Sequence, residues 1–342
     1  MSASGQPDLG DGTDEVSHPA RQGLLGSIET RDKLPRHHRS SSHNDGQLGD
    51  RSAGRPALLV VNPACRRGRG AAEVVVRELQ EAGMLVLARA CKHAGGLSEL
   101  IRESRFVVDS VIIGGGDGTL NAAARGLLDT GLPLGIIPLG TANDLARTLG
   151  IPSDPAAAAR IIARRKTRRV DLGDINGHPF FNVAHIGFGV DLTRALTQDA
   201  KRRFGNIGYA IAAARALSLL RPFRAELTHG ATTRHSRTVH VAVGNGRHYG
   251  GGMTVAEHAR IDDGRLHLYS LEVATFWQLL RLLPALRSGQ HNRWQEIHTL
   301  EGEAVAIQTP RRPRSICADG EIVSRTPAHF SVRHQAVSVF VP

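Results

Sequence analysis

An apolar run that breaks into glycine at residues 111–121, VIIGGGDGTLN, constrains the fold of this chain more than any other stretch. It reads as a buried strand ending at a tight, phosphate-binding turn. Glycines at such a turn let backbone N–H groups approach an anion that a Cβ would hold away. Asp117, the one carboxylate within it, stands where a Mg²⁺ bridging nucleotide phosphates needs an oxygen ligand. A second loop of similar character follows at residues 138–147, PLGTANDLAR, so two phosphate-type loops bracket one helix.

The surrounding pattern alternates strand and helix. Strands are predicted over 57–61, 84–90, 110–113 and 134–137, and helices over 71–82 with Gly83 as the stop, 97–105, 122–128 and 144–149. That succession predicts an α/β layer with a parallel sheet, whose ligands bind beyond the carboxyl ends of the strands. From about residue 170 the pattern turns to short strands: 179–184, 238–243, 265–271, 303–308 and 328–341, interrupted by helices over 207–220 and 275–288. The expected fold is therefore α/β plus all-β. Residues 55–182, with a C-terminal segment of about 326–342, form an α/β nucleotide-binding domain, and 183–325 form an antiparallel β-sandwich. Residues 1–54 read as a disordered tail, and its His37, His38 and His43 have no core to shape them into a metal site.

The 342 residues include only 4% aromatics, too few for a base-stacking surface, so nucleic acid is not an expected partner. The net charge of +11 calls for another acidic partner, a nucleotide or an anionic membrane surface. Basic residues gather at 164–169, 201–203 and 311–314, where solvated surface is the plain alternative. Three cysteines without metal-ligand spacing fit a reducing, cytoplasmic setting. No apolar stretch is long enough to cross a bilayer and no signal peptide is evident, so membrane contact is expected to be peripheral, at the inner face. Along 275–287, Phe276, Leu279, Leu280, Leu283 and Leu286 share one helical face, which packs on its own domain or, with Trp277, rests in an anionic interface. A homodimer is left open.

Five motifs then occur in a telling order: GGGDGTLN, PLGTANDLAR, GNGRHYGGG at 244–252, IDDG at 261–264 and ADGE at 318–321. From about residue 56 onward the chain resembles the bacterial diacylglycerol-kinase-type lipid kinases, most closely the YegS-type. The resemblance implies ATP as phosphoryl donor, Mg²⁺, a membrane lipid substrate such as diacylglycerol, and an active site in a cleft between two domains. It makes Glu321 the general base and Asp117 a metal-holding catalytic residue. Asn62, Cys91, Gly115, Gly116, Asp117, Gly118, Thr119, Leu120, Asn121, Thr141 and Asn143 become nucleotide contacts, and Asp144 and Asp171 an acidic network. It also implies a structural Mg²⁺ on Asp263 with the carbonyls of Arg260 and Arg265.

Read without the resemblance, Glu321 follows an ordinary Asp-Gly turn, Asp144 is a helix cap, and Asp263 lies in a plain hairpin turn. The chain departs from the family with Cys65 and Arg66 in the first loop and Cys91 after the second strand. A thiol is a weak hydrogen-bond donor, and both cysteines are candidates for oxidation or simply small packed side chains. Related readings are a NAD kinase, which shares the GGDGT loop, a sphingoid-type lipid kinase, and a catalytically silent lipid-binding protein.

Overall fold

The computed structural model describes residues 54–62, 65, 68–91, 94–190, 221–273, 276–289, 291 and 294–342. The expected tail, the basic run at 201–203, Arg66 and the helix expected over 207–220 lie outside the described residues.

Four strands, β1 (Ala57–Val61), β2 (Val86–Arg89), β3 (Ser110–Gly115) and β4 (Leu134–Pro138), form a parallel ladder in the order β2–β1–β3–β4. Helices α1 (Gly68–Glu81), α2 (Leu97–Ser104) and α3 (Asp117–Thr130) connect them, and α4 (Asp144–Thr148) and α5 (Pro155–Ala163) follow. α1 packs with α5 and α2 with α3. β3 and β4 are buried at every position, so they read as continuous apolar runs rather than alternating ones. α3 begins at Asp117, five residues before the expected start. Gly118 is a poor helix former, but the first turn's N–H groups have no intrahelical partner in any case, which makes the end of a helix tolerant of it. α5 was not anticipated, although Asp154 caps it, accepting from the Ala157 amide at 2.8 Å, and Pro155 opens it.

The remaining strands are β5 (Thr167–Ile175), β6 (His178–Phe180), β7 (Val183–Gly187), β8 (Phe223–His229), β9 (Thr232–Thr238), β10 (His240–Gly244), β11 (His248–Tyr249), β12 (Met253–Thr254) and β13 (Leu266–Leu271). After helix α6 (Phe276–Ser288) come β14 (Ile297–Gly302), β15 (Ala304–Gln308), β16 (Ser315–Ala318), β17 (Glu321–Arg325) and β18 (Ala328–Phe340). A six-stranded antiparallel sheet runs β14–β13–β10–β7–β16–β17. The one strand expected over 179–184 is two, β6 and β7, in different sheets.

β18 joins the two regions. Its first half pairs with β15 at residues 328–331, and its second half reaches the edge of the parallel ladder, Val339 opposite Leu134 of β4. β5 runs antiparallel along both halves, with an irregularity between Arg333 and Val337 where Gln335 takes φ 46°. A single sheet thus continues from β2 through β4 and β18 to β15, β8 and β9.

Period-two alternation explains the packing of the second sheet. Val241 and Val243 of β10 and Leu266 and Leu268 of β13 face a core shared with Ile307, Ile316 and Phe330. Ala242, Tyr269 and Leu271 face the opposite way, onto Leu282, Ala285 and Leu286 of α6. Leu286 belongs to the expected stripe and Leu282 and Ala285 do not, while the side chains of Phe276, Leu279, Leu280 and Leu283 lie outside the described ones. Trp277 is 74% exposed.

His240 lies in this second layer, 5% exposed, with its Nδ1 accepting from the Gly189 amide at 3.2 Å. Burial pushes its imidazole down to about 3, and neighbouring His185 adds to the fall. The native state therefore keeps this ring neutral while the unfolded chain takes up a proton below about pH 6.5, so stability is lost as the pH falls towards 3. Denaturant titrations should show this group contributing up to about 1.4 kcal/mol per pH unit in that window. His240→Asn, whose Oδ1 replaces the acceptor, should remove that part of the slope; an unchanged slope would disprove the assignment.

Candidate active site

The two glycine loops lie against each other, backbone on backbone. A Cβ on Gly140 would sit 2.5 Å from the Gly116 Cα, and one on Gly116 would sit 3.0 Å from the Gly140 Cα. The Leu139 amide donates to the Gly115 carbonyl at 2.9 Å, continuing the β3–β4 ladder into the loops. Asn143, at φ 51°, closes the second loop on itself: its Oδ1 accepts from the Gly140 amide at 2.8 Å and its Nδ2 donates to the Gly140 carbonyl at 3.0 Å. From β1, the Asn62 Nδ2 reaches Thr119 Oγ1 at 3.0 Å. Asn62, Gly115, Gly116, Gly118, Thr119 and Asn143 are thus gathered at the carboxyl ends of β1, β3 and β4. Leu120 is buried beneath them, Asn121 is half-buried with an unpartnered Oδ1, and Thr141 is exposed at the tip of the second loop.

Three carboxylates meet beside these loops. Asp117 Oδ1 accepts from the Leu145 amide at 3.1 Å and from Asn182 Nδ2 at 3.2 Å, so it caps α4 and holds the β6–β7 junction at once. Asp144 is 4% exposed and accepts from the Gly251 amide at 3.0 and 3.2 Å. The glycines of 250–252 around that contact take φ angles of 57°, 82° and 112°, which favour residues without a Cβ. Burial pushes the Asp144 carboxyl up, the Gly251 amide opposes it, and the charge of Asp117 adds to the rise.

Asp319, in the ADGE motif but given no role by sequence reasoning, is the third. Its carboxylate accepts from the amides of Phe181, Asn182 and Val183 at 2.7, 3.0 and 3.2 Å. Burial pushes it up to about 7 against those donors, with Asp117 contributing. The Asp319–Gly320 turn, φ 46° and 92°, lies over the first turn of α3, where a Cβ on Gly118 would be 4.0 Å from the Asp319 carbonyl oxygen. Glu321 follows on β17 and is exposed. Asn182 Oδ1, next to this acidic group, is buried and unpartnered. Convergent carboxylates, two of them raised in part by the charge of Asp117, together with an orphan amide oxygen, fit a hard cation such as Mg²⁺.

Two predicted acids lie elsewhere. Asp171 accepts from the amides of Gly264 at 2.7 Å and Gln335 at 2.6 Å and pairs with His334, holding the IDDG turn to the irregularity in β18. Asp263 accepts from the amides of Arg260 and Arg265 at 3.0 and 2.9 Å and from His267 at 2.9 Å. Those partners are nitrogen groups of the chain, which fix the orientation of the Asp263 carboxylate within the IDDG turn. Cys91 follows β2, and Cys65 packs against the α/β core; burial pushes the Cys65 thiol up, which disfavours the reactive thiolate.

Comparison with known proteins gives this geometry its setting. Residues 56–175 match the diacylglycerol kinase catalytic domain, and residues 184–341 match the YegS C-terminal NAD kinase beta sandwich-like domain. A diacylglycerol kinase of Mycobacterium tuberculosis (strain ATCC 25618 / H37Rv) is 33% identical over 87% of this chain and 98% of its own. The probable YegS-like lipid kinase of Klebsiella pneumoniae (strain 342) is 34% identical over 62% of this chain and 72% of its own. A crystal structure of a diacylglycerol kinase from Bacillus anthracis str. Sterne shares the fold, with a TM-score of 0.69 and 24% identity over 84% of this chain and 97% of that one. With both regions matched in order and relatives 33–34% identical, the chain belongs to the family of diacylglycerol kinase and YegS-like lipid kinases.

Proposed function

We propose that this chain transfers the γ-phosphoryl group of ATP to the hydroxyl of a membrane lipid, diacylglycerol or a related glycerolipid. The observation that supports this reading is the Asp319–Gly320 turn, whose Asp319 carbonyl lies over the first turn of α3 and which Glu321 follows directly in the chain. The lipid hydroxyl oxygen forms the new P–O bond, the bond to the β-phosphate oxygen breaks, ADP leaves, and the hydroxyl proton passes to Glu321. Amides of residues 115–121 and of the second loop position the phosphates, with Asn62, Thr119, Asn121, Thr141 and Asn143 as side-chain contacts and Cys91 at the rim. Asp117, Asp144 and the Asn182 amide oxygen are the groups suited to hold Mg²⁺, which when bound spreads the phosphate charge. In this reading Asp171 is a positioning residue. The substrate-binding region corresponds to residues 183–325 and the nucleotide-binding region to 55–182 with 326–342.

Glu321→Ala should lower kcat by about 10²–10⁴-fold while ATP affinity is retained, because an exposed base contributes to chemistry rather than docking. Turnover close to wild type would remove Glu321 from the mechanism. Consumption of NAD⁺ or a sphingoid base in preference to diacylglycerol would redirect the substrate assignment. Gly140→Ala should weaken ATP binding by at least about tenfold, because its Cβ pushes the two loops apart. Calorimetry that finds ATP affinity unchanged would separate the loops from the nucleotide.

An anionic, inner-face membrane contact is supported by charge. Arg224, Arg237, Arg311, Arg312 and Arg314 line a cavity of about 660 Å³ on the antiparallel region. No helix among the described residues is long and apolar enough to cross a membrane. In co-sedimentation, vesicles containing phosphatidylglycerol should retain the protein and pure phosphatidylcholine should not. Arg311→Glu with Arg312→Glu should cut retention about tenfold or more, at about 1 kcal/mol per basic residue. Equal binding to neutral vesicles would sink the electrostatic reading.

A further inference from the structure

We propose that His258, His267 and Glu301 form a binding site for a borderline divalent cation of the zinc class, separate from the nucleotide loops. One donor atom from each lies within 4.8 Å of the others. His258 Nε2 is 2.5 Å from Glu301 Oε1, and His267 Nδ1 is 3.7 Å from the same oxygen. His267 and Glu301 are direct partners across β13 and β14, so they project from the same face of the sheet. His258 comes from the segment between β12 and β13 and meets the His267 ring edge-on at 5.4 Å.

Three observations favour a cation over a merely hydrogen-bonded trio. First, the His267 side chain is 2% exposed and its Nδ1 has no hydrogen-bond partner. An unpaired buried nitrogen is costly unless something else occupies it. Second, His267 Nε2 lies 2.9 Å from Asp263 Oδ2. A carboxylate there accepts the Nε2 proton and so selects the tautomer whose Nδ1 lone pair faces Glu301. Metal-bound histidines are oriented by this kind of pairing. Third, all three ligands line a cavity of about 150 Å³ that also touches Leu268, Thr299 and His291, with room for a water as fourth ligand.

Two imidazoles and one carboxylate suit zinc rather than Mg²⁺, which takes oxygen ligands. Asp263 then acts one bond further out, through His267, instead of binding the ion itself. A bound cation would fasten the segment carrying the IDDG turn to the β13–β14 edge. Through the Gly264 amide on Asp171, it would also steady the turn against β18.

The full-length protein, stripped with a chelator, can be titrated with zinc against a chromophoric indicator in excess Mg²⁺. One equivalent should bind, and His258→Ala and Glu301→Gln should each abolish it. Both side chains are partly exposed, 60% and 34%, and thermal melts of the variants will verify that they remain folded. Asp263→Asn should weaken binding roughly 10–100-fold, and Co²⁺ in place of zinc should give visible absorption that His258→Ala removes. Absence of zinc binding, or zinc retained in both ligand variants because the tail's His37, His38 and His43 hold it, would overturn the proposal. An affinity unchanged by Asp263→Asn would overturn the tautomer on which the site depends.

Discussion

Contact between two glycine loops, main chain against main chain, fixes where α3 and α4 begin, and with them two of the acids in the candidate site. Gly116 and Gly140 approach so closely that neither position has room for a side chain without the loops separating. The consequence is chemical as well as steric. The helices that follow the two loops, α3 and α4, place Asp117 and Asp144 within electrostatic reach of each other.

Negative charge concentrated in this way needs compensation, and the protein supplies part of it from the backbone. Three amides of the β6–β7 junction point at Asp319, the Gly251 amide points at Asp144, and the Leu145 amide at Asp117. Each of these bonds crosses between segments distant in sequence. The acids therefore serve two purposes: they form an oxygen-rich locus suited to a hard cation, and they fasten the α/β region to the antiparallel one. Replacing one of them would disturb both the charge and the joint, so activity loss alone would not assign a role.

Much of this was legible in the residues. β1, β3 and β4 stand out as short apolar runs because both faces are covered, and the glycine loops declare themselves by composition. α5 carried a readable signal, an aspartate cap followed by proline, that went unused. β5 was hidden for a different reason: its opening, Thr-Arg-Arg, looks like solvated surface, and only pairing with β18 about 160 residues away makes it a strand. Asp171 and Asp319 illustrate the same limit. The family resemblance grouped Asp171 with Asp144, and the pairing of β5 with β18 sets its carboxylate on the Gly264 amide. Asp319 looked like half of an ordinary turn, and its burial depends on β16 lying beside β7.

The long strand β18 has one more implication, for the order in which the molecule assembles. Leu134 on β4 waits for Val339, about two hundred residues later, before its open side is covered. Until then the amino-terminal ladder presents free N–H and C=O groups along an apolar strand, the kind of surface on which chains stick to one another. Closing so long a loop is slow relative to the local β–α units that precede it. The parallel ladder is therefore completed only when β18, the last strand of the chain, pairs along β4.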